Sequence, residues 1–259
     1  MKPLPALRVV RSSYNYSLAQ PLFFRYVVRP VSFYATYPFL WLRMTANQVT
    51  FLGFLVGIAS IILFSKGTPF HLAWGVICYA LFLVLDFVDG NIARLNDSAT
   101  YYGHYLDGVA DTLVETLLPL AFSIGFFRTT GSTAFLYAGI LVSIFLLFSS
   151  FVFTRLSFFN RWVDDQLRKT DPQGGLQCEL NPLKTKRFPL NPVVYATIDL
   201  KIIGILLVGV FGLTAWFLVF ILAVTIVHLV PLIIIPLLDA ADNLNVRQIS
   251  ERDPRSKQH

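Results

Sequence analysis

The stretch DFVDGNIARLNDSATYYGHYLDGVAD, Asp86 to Asp111, sets four carboxylates, Asp86, Asp89, Asp107 and Asp111, into apolar surroundings on either side of a polar turn that carries Asp97. Asp86 and Asp89 are three residues apart and Asp107 and Asp111 four apart, so in two helices each pair occupies one face of its own helix. A hairpin of those helices brings the four acids together. An ionised side chain at mid-membrane costs roughly 2.5 to 3.5 kcal/mol on insertion scales, so four uncompensated acids would cost about 10 kcal/mol or more. Something cationic belongs between them. Clustered carboxylate oxygens suit a hard ion, Mg²⁺, Mn²⁺ or Ca²⁺, rather than zinc or copper.

Around this stretch the composition is that of an integral membrane protein. Of 259 residues 55% are hydrophobic and 14% charged, and the mean hydropathy is +0.62. The 24 Phe and 11 Tyr suit lipid-facing and interfacial positions. The net charge of +6 follows from membrane topology; no basic run alternates with aromatics as nucleic-acid binding would require. Two cysteines, Cys78 in an apolar segment and Cys178 in a polar loop, imply no disulfide framework. Lys2, Arg8 and Arg11 precede polar residues rather than an apolar core, so no cleaved signal peptide is expected.

Hydropathy and breakers predict an all-α membrane fold of six spans. Residues 1–44 form a cytoplasmic arm with interfacial amphipathic helix segments: Pro21, Pro30 and Pro38 interrupt them, and arginines alternate with Phe, Tyr and Trp. A poorly ordered basic arm fits residues 1–12. The membrane domain covers 45–238, with spans at about 47–64, 71–94, 101–127, 133–158, 193–212 and 214–238. A cytoplasmic loop fills about 159–191, and residues 239–259 are a cytoplasmic tail. Thr45 or Asn47 caps the first span, and Gly53 and Gly57 allow close helix approach. Pro119, Pro231 and Pro236 predict kinks. Lys and Arg number six in the arm, six in the 159–191 loop and four in the tail, against Lys66 and Arg128 opposite. Both termini and the acid hairpin are thus expected to face the cytoplasm.

The full pattern is Asp86-x2-Asp89-Gly90-x2-Ala93-Arg94-x8-Gly103-x3-Asp107-x3-Asp111. It resembles the signature of the CDP-alcohol phosphotransferase family at every defining position, and TANQVT at 45–50 extends the likeness, with Ala46 where many relatives carry Pro. The resemblance implies an enzyme that transfers a substituted phosphate from a CDP-linked lipid donor, CDP-diacylglycerol first among them, to a polar alcohol or alcohol phosphate, releasing CMP. It also implies two divalent ions, Mg²⁺ or Mn²⁺, held by Asp86, Asp89 and Asp107. Asp111 matches the general base, where it also touches metal. Gly90, Ala93, Arg94, Gly103 and Asn47 fall at donor-binding positions. A homodimer in a prokaryotic plasma membrane completes the expectation.

Other readings stand beside this one. A small CDP-linked donor passing its group to a lipid is an alternative within the family. A metal-ion transporter is the alternative outside it, although acids on an ion path would be spread through the bilayer rather than gathered near one face. Arg94 either contacts a donor phosphate or pairs with an acid. Glu115 lies one turn beyond Asp111, about 6 Å deeper, and either lines an acceptor pocket or pairs with a basic side chain on another span. Arg155 and Lys201 either hold an acceptor phosphate or anchor their helices at the interface. His104 is a candidate support for Asp107; Asp199, two residues from Lys201, does not face it.

Overall fold

The computed structural model describes residues 5–12, 21–98, 100–170 and 190–211, with 216, 217, 219–221, 223 and 224 beyond them, and these form helices and turns only. In chain order the helices are α1 (Leu7–Ser12), α2 (Arg29–Trp41), α3 (Ala46–Phe64), α4 (Pro69–Leu95), α5 (Tyr101–Thr130), α6 (Thr133–Thr170) and α7 (Leu190–Phe211). Among the described residues four helices are long and apolar enough to cross a membrane: α3, α4, α5 and the first part of α6, Thr133–Val152. The expected fifth span, at 193–212, overlaps α7, which is not one of these four. Most of the sixth, at 214–238, lies outside the described residues, as do Cys178, His228, Pro231 and Pro236.

Three expectations need correction. Residues 5–12 are not a loose basic arm: α1 buries Val10 completely, and the Tyr37 hydroxyl on α2 donates to the Pro5 carbonyl at 3.0 Å. One apolar side chain and one hydrogen bond outweigh the basic composition. The loop expected from 159 begins later, because α6 continues to Thr170. No proline or glycine interrupts 159–170, and the first breaker is Pro172.

The prolines near the N-terminus do not break the chain as expected either. Residues 22–41 are helical throughout, with a π-helical turn at Phe24–Val28 leading into α2. A proline ring collides with the carbonyl four residues earlier in a regular helix, and the wider π turn ahead of Pro30 relieves that collision. Leu22, Tyr26, Val31, Tyr34 and Trp41 are exposed along this segment, as expected of a helix lying at a lipid surface. Its free end is held from afar: the Asp199 carboxylate on α7 accepts from the backbone N–H groups of Leu22 and Phe23, each at 2.8 Å. An acid there caps two orphan donors and meets the positive end of the helix dipole. Asp199→Ala should therefore destabilise the fold by about 1 kcal/mol, read as a lowered Tm in detergent.

Helix starts follow side-chain chemistry. Thr45 and Gln48 form a capping box on α3, with Gln48 Oε1 accepting from Thr45 N at 2.9 Å. Thr45 is thus the cap, which leaves Asn47 available elsewhere. Thr100 Oγ1 accepts from Gly103 N at 3.0 Å and starts α5.

Helices α3, α4 and α5 pack together through the small residues of α3. A Cβ on Gly57 would stand 2.7 Å from Val114 Cγ2 on α5 and 3.2 Å from the Phe82 ring on α4, so only glycine permits this approach. Deeper in the bundle Phe64 stacks on Phe122 with centroids 4.2 Å apart, joined by Leu118, Ile205 and Val208. The outward faces carry Phe51, Leu55, Trp74, Ile77, Ile144, Leu147 and Phe148. So large an apolar exterior fits lipid and not water.

Candidate active site

The site forms where α4 ends and α5 begins. Carboxylate oxygens of Asp86, Asp89 and Asp107 lie mutually within 4.8 Å. That spacing fits the oxygen shell of one hard ion, whose opposite ligands are about 4 Å apart for Mg²⁺ and about 5 Å for Ca²⁺. The donor set and its geometry therefore suit a divalent cation. Asp111, half-buried one turn after Asp107, lies outside this trio. Asp89, at 6% exposure the most buried of the four, accepts a 2.5 Å hydrogen bond from Thr50 Oγ1 on α3. This bond aims the carboxylate from a third helix. Thr50→Val keeps the shape and removes the bond, and should weaken divalent-metal affinity about 10- to 100-fold, measurable by titrating the ion back into stripped protein.

Beside the trio is a cavity of about 250 Å³ lined by Asn47, Thr50, Asp89, Ala93, Arg94 and Asp107, with Gly90, Gly103 and His104 also on its wall. The structure thus brings every expected donor-binding residue to one cavity that opens onto two metal-ligand candidates. A second cavity of about 490 Å³ shares Ala46, Asn47, Ser98 and Thr100 with it and adds Arg43. The missing side chain of Gly103 has a local reason: a Cβ would stand 2.8 Å from Asn47 Oδ1. Gly90 serves its own chain, because a Cβ there would meet Arg94 Nη1 at 3.2 Å. The Arg94 guanidinium lies back over that gap, and its Nη2 donates to Asn91 Oδ1 at 2.7 Å.

Three candidates fall elsewhere. Lys201 Nζ on α7 donates to Glu115 Oε1 at 3.1 Å, so the two form an ion pair that gives Glu115 a basic partner from another helix. Arg155 is exposed on α6 with its guanidinium 5.3 Å from the Phe151 ring centroid. None of these three lines the cavities beside the acids. Thr50 and Asn91 carry no sequence signal of these contacts. Thr50 lies 39 residues from its carboxylate partner, and Asn91 occupies a variable position of the pattern, so spacing signals neither.

The sequence pattern of the family described as CDP-alcohol phosphatidyltransferase matches residues 43–227. A curated relative, the phosphatidylinositol phosphate synthase of Corynebacterium glutamicum, is 34% identical over 79 residues. The aligned part spans 30% of this chain and only 34% of that relative. Among solved structures, the phosphatidylinositol phosphate synthase of Mycobacterium tuberculosis with CDP-DAG bound aligns at 16% identity and a TM-score of 0.48, covering 90% of this chain and 98% of its own.

Proposed function

The chain belongs to the CDP-alcohol phosphatidyltransferase family, and from that premise we propose that it transfers the phosphatidyl group of CDP-diacylglycerol to the hydroxyl of a polar alcohol, releasing CMP. The observation that carries this reading is the convergence of the Asp86, Asp89 and Asp107 oxygens beside a cavity lined by Asp89, Asp107 and Arg94. A nucleotide-linked pyrophosphate needs positive charge, and a cluster of acids offers it only with metal between. A divalent ion bound there would draw charge from the leaving phosphate.

The remaining work falls to the chain's own residues. Arg94 binds a donor phosphate oxygen, and Asn47, Gly90, Ala93 and Gly103 shape the wall that the nucleotide contacts. Asp111 accepts the proton of the acceptor hydroxyl. The acceptor oxygen bonds to the phosphorus bearing the diacylglycerol, the bond from that phosphorus to the bridging oxygen breaks, and CMP departs. Inositol phosphate is the first acceptor to test, given the C. glutamicum relative's name, and in this reading Arg155, together with Lys201 once it is drawn from Glu115, meets its phosphate. In this reading residues 45–238 form the catalytic membrane domain, the site faces the cytoplasm of a prokaryotic cell, and the working unit is a homodimer.

The test incubates purified protein with CDP-diacylglycerol and a panel of acceptors, including inositol phosphate, glycerol phosphate and serine, scored by CMP release and lipid mass. Lipid-dependent CMP release with one acceptor supports the proposal. Metal flux into vesicles without CMP release would overturn it in favour of a transporter.

A further inference from the structure

Arg94 is not left to find its own position, because a buried polar seam between α4 and α2 leads to it. Ser32, Thr36 and Asn91 are each 0% exposed. Ser32 Oγ donates its proton to the Arg29 carbonyl at 2.8 Å, and Thr36 Oγ1 donates to the Ser32 carbonyl at 2.7 Å. Each hydroxyl has one proton and has spent it within α2, so towards any other group both can only accept. The amide of Asn91 supplies the matching donor: Nδ2 lies 3.3 Å from Ser32 Oγ and 3.1 Å from Thr36 Oγ1. With its nitrogen committed to α2, the amide must turn its oxygen the other way, where it accepts from Arg94 Nη2 at 2.7 Å. A flipped amide would set NH₂ against guanidinium and oxygen against spent hydroxyls. The polarity of the whole relay is therefore fixed by proton count.

We propose that Asn91, oriented by Ser32 and Thr36 of the interfacial helix, is a positioning residue that holds the Arg94 guanidinium at the cavity wall for the donor phosphate. This rests on the donor reading of that cavity. Arg94 is exposed and its side chain long, so an unrestrained guanidinium would spend its time among many rotamers. A bond from a residue three positions earlier on the same face removes most of that freedom before substrate arrives. The relay also ties the site to the helix that lies on the lipid surface, the phase from which a lipid donor comes.

The test is a double-mutant cycle on the full-length enzyme in lipid vesicles, reading kcat and donor KM separately. Arg94→Gln should raise donor KM, and Asn91→Leu should raise it about tenfold with acceptor KM unchanged. The double variant should be no worse than Arg94→Gln alone, because Asn91 acts only through Arg94. Removing the Asn91 amide strands no buried donor, since the two hydroxyls keep their carbonyl partners. Thr36→Val is a milder second probe and should raise donor KM several-fold in the parent but not in the Arg94→Gln background. Additive losses, or a fall in kcat and Tm with donor KM unmoved, would overturn the relay while leaving the donor reading intact. Unchanged donor KM in Arg94→Gln would overturn both.

Discussion

Replacing Asp111 by Asn should lower transfer by about 10²- to 10⁴-fold, the range typical of a lost general base, while binding of the CDP donor stays close to that of the parent. The substitution keeps size and shape and removes the ability to take a proton. Asp111 stands one helical turn from Asp107 and outside the tight trio of Asp86, Asp89 and Asp107, so its loss need not dismantle the metal site. The check is CMP release under saturating acceptor, paired with CDP binding measured by calorimetry. Turnover retained in Asp111→Asn would remove the base assignment; loss of donor binding in step with turnover would move Asp111 among the metal ligands.

Stripping divalent ions should abolish transfer altogether, and Mg²⁺ or Mn²⁺ should restore it where Zn²⁺ does not. Three carboxylates within 4.8 Å of one another repel strongly in an apolar setting unless a cation or protons sit among them. Asp86→Asn and Asp107→Asn should each raise the metal concentration needed for half-restoration. Full activity in EDTA would refute the metal role outright.

What could be read from the sequence was whatever repeats at helical spacing. The acid pairs at three and four residues point to the α4–α5 turn, where Asp86, Asp89 and Asp107 converge, and the small residues Gly53 and Gly57 mark the packed face of α3. Topology was legible as far as hydropathy carries it: α3, α4 and α5 lie within a few residues of their expected limits. Partners distant in sequence were not legible. The bond from Thr50 to Asp89, the pairing of Lys201 with Glu115 and the seam from Ser32 to Asn91 join residues 39 to 86 positions apart, and no local period encodes such pairs. Breakers misled at Pro30 and Pro38, where a change of helical pitch and continued packing let the helix run on. The reach of α6 is not legible because the charges in 159–170 suit a loop and a helix leaving the apolar layer equally well.

The cap on the interfacial helix also has a timetable. Its acceptor, Asp199, follows Leu22 by 177 residues, which at 5 to 20 residues per second is about 9 to 35 s of synthesis. Throughout that interval two N–H groups at the start of the nascent helix lack their carboxylate acceptor, while α3 to α6 are made behind it. Only when α7 arrives can the segment bearing Ser32 and Thr36 be pinned at its start. The start of that segment is therefore secured from the C-terminal side, and a chain halted before α7 would keep the seam of Ser32 and Thr36 with Asn91 while its Leu22 end stayed uncapped.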